Sequence, residues 1–347
     1  MNINSRLPRL NLYDARRKQM RSFEKNPEGG SGGSLSPNLQ PPTPPICPDA
    51  TEPFTTSRIG SYLLLGQQEG SMLYRCIHVL TQEEFVCKIV AKDSYERTLA
   101  GYLRLDGQPQ VNRVEEVLVG TSRAYIFFPR SYEDLHSYVR SKRRLKEQVA
   151  VPLFRQVVQA VQACHDAGVV LRDLKLRKFV FKDPERTQLK LETLDDAVVL
   201  DDESSDQLSD RHGCPAYVSP EILTPTETYS GKAADCWSLG VILYTLLVGR
   251  YPFNDSNHTY LIGKIRRGKF TIPDFISLQG KCLIRNLLRK DPKERFTVEE
   301  VLSHPWLQLS FHEGRVSSDN HKDEAKVPEF VMDATKPAEN PFLFLPL

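Results

Sequence analysis

The chain has 347 residues, 40% of them hydrophobic, which is enough apolar material for a sizeable core and for one bilobal domain with tails or two ordinary domains. A formal net charge of +2 argues against nucleic-acid binding driven by overall charge, although local basic clusters stay open. Seven scattered cysteines (Cys47, Cys76, Cys87, Cys164, Cys214, Cys236, Cys282) include no C-x-x-C pair, which favours free thiols in a reducing compartment over disulfides or a zinc site.

Residues 1 to about 57 read as a disordered region, rich in Pro, Gly and Ser. They hold the run Gly29-Gly30-Ser31-Gly32-Gly33-Ser34 and the prolines between Pro41 and Pro48, with few aromatics and no sustained period of two or 3.6. The spacing of Pro42 and Pro45 is either bait for a polyproline-binding domain or plain linker. Arg16-Arg17-Lys18, with Arg21 nearby, is either a nuclear-import or acidic-partner patch or a solvated tail. No apolar stretch follows the polar N-terminus, so a secretory leader is not expected. The most apolar run, Cys236 to Val248, is short for a bilayer span and carries Ser238 and Gly240, which predicts a buried helix and a soluble, intracellular protein.

From Ser57 to about Arg130, strand formers dominate, with one helical interruption. Tyr62 to Leu65, Leu73 to Leu80, Phe85 to Val90 and Ala124 to Phe128 are the expected strands. After Leu145 the period changes. Val149, Leu153, Val157, Val161 and Cys164 recur about every four residues and predict a helix with one buried stripe. Ala233 to Val248 and Lys281 to Leu288 read as further helices. A sheet first and helices after is the layout of an α+β protein, with a small β-rich lobe over about 58–130 and a larger helical lobe over about 131–308. A polar tail follows over 309–347.

Several motifs then fall in order. Leu171-Arg172-Asp173-Leu174-Lys175-Leu176-Arg177-Lys178 resembles the catalytic loop of a protein kinase, H-R-D-L-K-x-x-N. Gly213 to Glu221 resembles the end of a kinase activation segment, G-T-P-x-Y-x-A-P-E. Asp235-Cys236-Trp237-Ser238-Leu239-Gly240 resembles the D-x-W-S-x-G of the central buried helix. Arg295 stands where the family keeps the partner of the A-P-E glutamate, here Glu221, and His304-Pro305-Trp306 matches a common ending. The resemblance covers roughly residues 60 to 307 and implies a bilobal protein-kinase-like fold. Glu221, Asp235 and Arg295 are structural in that fold and leave catalysis open.

The catalytic parts divide unevenly. By the resemblance, Lys88 matches the strand lysine that holds nucleotide phosphates, Asp173 the catalytic base and Lys175 its neighbouring cation; local salt bridging is an equal reading of each. Against them, Lys178 replaces the metal-binding Asn, and Thr193-Leu194-Asp195 replaces D-F-G, so that Thr193 stands at the second metal-ligand position. The Gly-rich loop is reduced to Gly66 and Gly70, with bulky Met72 and Leu73 behind it. Glu96 is the nearest match to the glutamate of the regulatory helix but lies a few residues early, which predicts a short or bent helix. Two unit charges about 4 Å apart repel by ~4 kcal/mol at an effective dielectric of ~20, and a divalent ion doubles that. Losing two oxygen ligands and gaining an ammonium is expected to abolish ordinary magnesium binding, so no metal site is expected and ATP binding is left open.

The whole Leu171-to-Phe179 sequence, the T-L-D replacement and Ser219-Pro220-Glu221 together resemble the Tribbles pseudokinase family. In the tail, Glu324-Ala325-Lys326-Val327-Pro328-Glu329 resembles that family's docking peptide for a RING–WD40 E3 ubiquitin ligase of the constitutive photomorphogenic type. Pro328 limits backbone freedom, Val327-Pro328 suits an apolar pocket, and Asp323, Glu324 and Glu329 suit a basic rim. The final Asn340-to-Leu347 segment is apolar; it is either a loose end or a docking element, and in the family the tail can pack near the regulatory helix.

The resemblance implies a catalytically impaired scaffold in nucleus and cytoplasm. It would hold substrates such as CCAAT/enhancer-binding transcription factors on a surface around Asp210, Arg211, His212, Gly213, Cys214 and Tyr217, recruit the ligase for their ubiquitination, and modulate MAP kinase kinases. Val301 to Leu307 reads equally as the family's surface for those kinases and as the last core helix. The alternatives are a weak metal-independent kinase working through Lys88, Lys175 and Asp173, and a nucleotide-sensing module without transfer. No direct contact with nucleic acid or membrane is expected.

Overall fold

The computed structural model describes residues 57–67, 73–202, 205–224 and 227–309. Their contacts divide them into two units, one made of the residues up to Glu96 with Val114–Arg130, the other of Arg97–Arg113 with the residues from Ser131 on. The bilobal α+β fold expected from the sequence is present, and the segment 97–113 groups with the helical unit.

The first unit is an antiparallel sheet in the order β1-β2-β3-β4-β6-β5. Its strands are β1 (Ser57–Ile59), β2 (Tyr62–Gln67), β3 (Leu73–His78), β4 (Glu84–Ala91), β5 (Glu116–Val119) and β6 (Arg123–Pro129). Four of these were predicted; β1 and β5 were not. Register sorts the side chains by face. Leu73 opposes Lys88, Arg75 opposes Val86 and Lys88 opposes Ile126, so these residues share one face. The other face carries the core cluster of Ile59, Tyr62, Leu64, Cys76, Cys87, Leu118 and Phe127, in which the Tyr62 and Phe127 rings stack at 3.8 Å. Leu73 is therefore a buried strand residue rather than part of a phosphate loop; Gly70 and Met72 lie outside the described residues.

Helix α1 (Tyr95–Arg104) is short, as Glu96 led us to expect. Glu96 is exposed and accepts a hydrogen bond from the Tyr95 hydroxyl at 3.2 Å. Beyond it come α2 (Leu135–Lys142), α3 (Glu147–Asp166), α4 (Gly231–Val248), α5 (His258–Arg267), α6 (Leu278–Leu287) and α7 (Val298–Ser303). The stripe on α3 is as predicted from Leu153 to Cys164, but Val149 is exposed: the buried face at the first turn is taken by Ala150 and Val151. Helix α4 is long and apolar enough to cross a membrane, yet 89% of it is buried inside the unit. It packs on α6 at Gly240, where a Cβ would lie 2.8 Å from Leu287. Glu147 ties the start of α3 to the far end of the unit, accepting from the Ser277 backbone at 2.7 Å and from the Trp306 indole at 2.8 Å.

Short ladders bring the motif residues together. β7 (Val169–Val170) pairs with β10 (Val198–Val199), and β8 (Phe179–Phe181) pairs with β9 (Leu189–Leu191). The loop 171–178 lies between β7 and β8, and the segment 192–197 lies between β9 and β10. Both ladders must close, so the two connections are held side by side.

Candidate functional site

Asp235, buried in α4, organises the catalytic-type loop. Its carboxylate accepts the Leu171 and Arg172 backbone N–H groups at 2.8 and 3.0 Å, and His165 Nε2 lies 3.0 Å away. Three donors on one buried carboxylate hold Arg172 at φ 60, a left-handed value that a non-glycine residue adopts only under constraint. The Arg172 side chain then reaches outward. Its Nε donates to the Asp196 carbonyl at 2.6 Å, and its Nη1 pairs with the Asp210 carboxylate.

Inside this loop lies a line of alternating charges. Lys175 Nζ donates to Asp173 Oδ2 at 2.5 Å. Lys178, 8% exposed, donates to Asp196 Oδ2 at 2.6 Å and lies 3.8 Å from Asp173 Oδ2. His212 Nε2 sits 3.1 Å from the other Asp196 oxygen, and the Cys214 N–H donates to Asp173 Oδ1 at 3.1 Å. The His212 hydrogen bond, aided by the Lys178 ammonium, holds the Asp196 carboxyl far below the usual carboxylate range. For Lys175, burial opposes the charge, but the Asp173 carboxylate outweighs it and raises the ammonium above its ordinary value. Burial also pushes the Cys214 thiol up, so it is no ready nucleophile.

The Lys178 ammonium thus occupies the space between two carboxylates, where a divalent ion would need them. Among the described residues, no three His, Cys, Asp or Glu side chains are placed to hold a metal ion. The donor set does not fit magnesium: the cation between the carboxylates is covalently part of the chain. Thr193 offers no compensating carboxylate. Leu194, beside it, is buried against Gly101, where a Cβ would meet its Cδ1 at 3.2 Å, and its N–H donates to the Tyr102 hydroxyl at 3.1 Å. Asp196 was missed by the sequence reading. The signal was the doubled acid Asp195-Asp196, but nothing local showed which of the two turns toward Lys178.

The other expected residues are placed as follows. Lys88 lies in β4, half-buried, on the face it shares with Leu73 and Ile126. Asp210, Arg211, His212, Gly213 and Cys214 run together past the loop. Arg211 donates to the Thr224 carbonyl at 3.4 Å, and Gly213 adopts φ 140 with Arg172 O close above it. Tyr217 departs from the expected surface. It is 4% exposed, its ring packs edge-on to Tyr251, and its carbonyl accepts from Ser238, so it is a core side chain that anchors the segment. Glu221 and Arg295 pair as predicted, at 2.7 and 3.0 Å in a bidentate fork, and the guanidinium also donates to the Ala233 and Arg289 carbonyls. Glu324, Val327, Pro328 and Glu329, like the terminal apolar segment and residues 1–56, lie outside the described residues.

Comparison with known proteins agrees with this geometry. The protein kinase domain family matches residues 61–307. Tribbles homolog 2 of Mus musculus is 49% identical over 90% of this chain and 91% of its own length. Tribbles homolog 1 of Homo sapiens is 50% identical over 80% of this chain and 74% of its own. Tribbles homolog 3 of Mus musculus is 48% identical over 91% and 88%.

Proposed function

The chain belongs to the Tribbles family of protein-kinase-like proteins, and we propose that it is a catalytically impaired pseudokinase that works as an adaptor. In this reading, the surface from Asp210 to Cys214 receives a substrate protein, such as a CCAAT/enhancer-binding transcription factor. Residues 324–329 engage a RING–WD40 E3 ubiquitin ligase. Holding both on one chain raises the effective concentration of substrate at the ligase. The adaptor would also modulate MAP kinase kinases in nucleus and cytoplasm.

One observation supports the loss of catalysis above the others: Lys178, at the position of the motif's metal-binding Asn, has its Nζ 2.6 Å from Asp196 and 3.8 Å from Asp173. Phosphoryl transfer depends on divalent charge to neutralise the phosphoryl oxygens, and a fixed monovalent ammonium already spent on two carboxylates supplies little of it. The retained Lys175–Asp173 pair favours a second reading, weak metal-independent transfer. Two experiments separate these. Pull-down of the ligase by the full chain should be lost on joint Val327→Ala and Pro328→Ala substitution with the melting temperature unchanged; retained pull-down would remove the adaptor reading. Any phosphotransfer should be insensitive to magnesium, and transfer that disappears in Asp173→Asn would establish the weak enzyme instead.

A further inference from the structure

The helical unit carries a rigid basic ridge that the proposed function leaves unused. From Leu135 to Lys146 the sequence contains no acidic residue, and Arg140, Lys142, Arg143, Arg144 and Lys146 are all exposed. Arg250, also exposed, directly follows Gly249, where a Cβ would strike the Arg143 carbonyl at 2.0 Å, so that the two loops lie against each other. The loop is fixed rather than floppy. Arg143 sits at φ 65, the Leu145 N–H donates to the Leu246 carbonyl at 2.8 Å, and the Leu145 side chain is buried. Lys146 caps α3 without a side-chain hydrogen bond, and its carbonyl accepts the Val149 and Ala150 N–H groups at 2.9 Å, which fixes the loop onto the helix.

Apolar side chains border these cations. The Arg144 guanidinium stacks 4.0 Å above the Phe275 ring, which is itself 54% exposed. Leu278 is 82% exposed and Val149 is 41% exposed. Their backbones are locked together, because Glu147 accepts from both the N–H and the hydroxyl of Ser277 at 2.7 Å. Of the neighbouring acids, Glu147 is engaged as described, and Asp274 is exposed but paired with Lys281 at 3.1 Å.

We infer that the ridge 142–146, with Phe275, Leu278 and Val149, is a docking surface for an acidic peptide segment of a partner protein that carries an apolar anchor. The charges dictate the choice. A guanidinium held over a ring presents its N–H groups as a fork for carboxylates, at little further entropic cost. An acidic strand lying along the ridge would place one large apolar side chain against Phe275 and Leu278. This surface is independent of the tail motif and of the charge cluster around Lys178.

The test is fluorescence anisotropy with the full chain and a labelled polyglutamate peptide carrying one central phenylalanine. Its polyglutamine counterpart, phosphatidylserine vesicles, and an unlabelled peptide of residues 319–333 of this chain serve as the other arms. The acidic peptide should bind and the glutamine peptide should not. Affinity should fall roughly tenfold between ~50 and ~200 mM salt. Joint Lys142→Glu and Arg144→Glu substitution should weaken binding by roughly tenfold or more, and Phe275→Ser by roughly threefold, with melting temperatures unchanged. Phe275→Ser, an exposed position, keeps the test decisive if the charge reversal disturbs folding. Equal binding by the variants, binding of the glutamine peptide, association with the vesicles alone, or displacement by the 319–333 peptide at equal concentration would each overturn the assignment, the last by making the occupant the chain's own tail.

Discussion

Removing the Lys178 ammonium tests the charge cluster most directly. In Lys178→Met the aliphatic stem is kept and the charge is lost. At an effective dielectric of ~20, the contacts at 2.6 and 3.8 Å correspond to attractions of about 6 and about 4 kcal/mol. Most of this is offset by the cost of burying the ions. Breaking a buried pair typically costs about 3–5 kcal/mol, but Asp196 is 31% exposed and keeps His212, so about 2–3 kcal/mol is expected here. For a unit of this size that corresponds to a fall of roughly 4–12 °C in melting temperature at neutral pH. The depressed Asp196 carboxyl fixes the pH behaviour: its contribution is fully present above the unfolded carboxylate value and is lost only as pH falls toward the lower folded value. The variant's deficit should therefore be constant from pH ~7 to ~5 and shrink below ~4. Urea unfolding of both proteins, with Asp196→Asn completing a double-mutant cycle, reads the coupling, expected at about 1–3 kcal/mol. A variant as stable as the parent, or a coupling near zero, would show that the ammonium merely lies near the carboxylates and neutralises nothing.

Three further outcomes follow, one from the same cluster and two from other buried charges of the helical unit. Lys178→Asn frees the facing oxygens of Asp173 and Asp196, so this variant should gain a magnesium-dependent thermal shift that the parent lacks; the absence of any difference would mean that the cation is not what keeps metal out. Arg295→Ala leaves Glu221 buried without its fork and should cost about 3–5 kcal/mol in chemical denaturation, with a loss below ~1 kcal/mol counting against the anchor. Lys190 is buried, donates to Asn112 at 2.9 Å, and is lowered by desolvation to about 8. Its folded state binds fewer protons than the unfolded chain above that value, so the parent should gain roughly 1–2 kcal/mol over Lys190→Met between pH ~8 and ~9.5, whereas a pH-independent difference would refute the assignment.

The elements legible in the sequence were those with sustained periodicity. The runs from Tyr62, Leu73, Phe85 and Ala124 alternate or are continuously apolar, and each became a strand. The strand Ser57–Ile59 has three residues with an arginine in the middle, too short for any period to register. Val149 fits the spacing of its helix but lies in the turn that faces the basic ridge, so periodicity placed it on the wrong side. Tyr217 was placed on the surface by the resemblance of its segment to a kinase activation segment, whereas its burial depends on Tyr251 and Ser238, both distant in sequence. The charge at Lys178 was legible; its neutralisation was not. Asp196 reaches it only because the β8–β9 and β7–β10 ladders close on either side, and no local pattern encodes that convergence.

The 205–217 segment is held to the catalytic-type loop and to Asp196 by charged and polar contacts at three points. In kinases that are switched by phosphorylation, this segment is ordered when arginines capture an added phosphate. Here the Arg172 guanidinium already holds the Asp210 carboxylate, His212 is seated on Asp196, and Cys214 is tied through its backbone to Asp173. The Lys178 ammonium supplies, without dissociating, the positive charge that those two carboxylates would otherwise draw from a metal. These internal contacts connect the segment to the catalytic-type loop at Arg172 and Asp173, and to Asp196 beside it. Under the proposed adaptor reading, the same contacts would keep the 210–214 stretch in one arrangement, so Asp196→Asn, which removes the carboxylate under His212 and Lys178, should weaken substrate binding as well as stability.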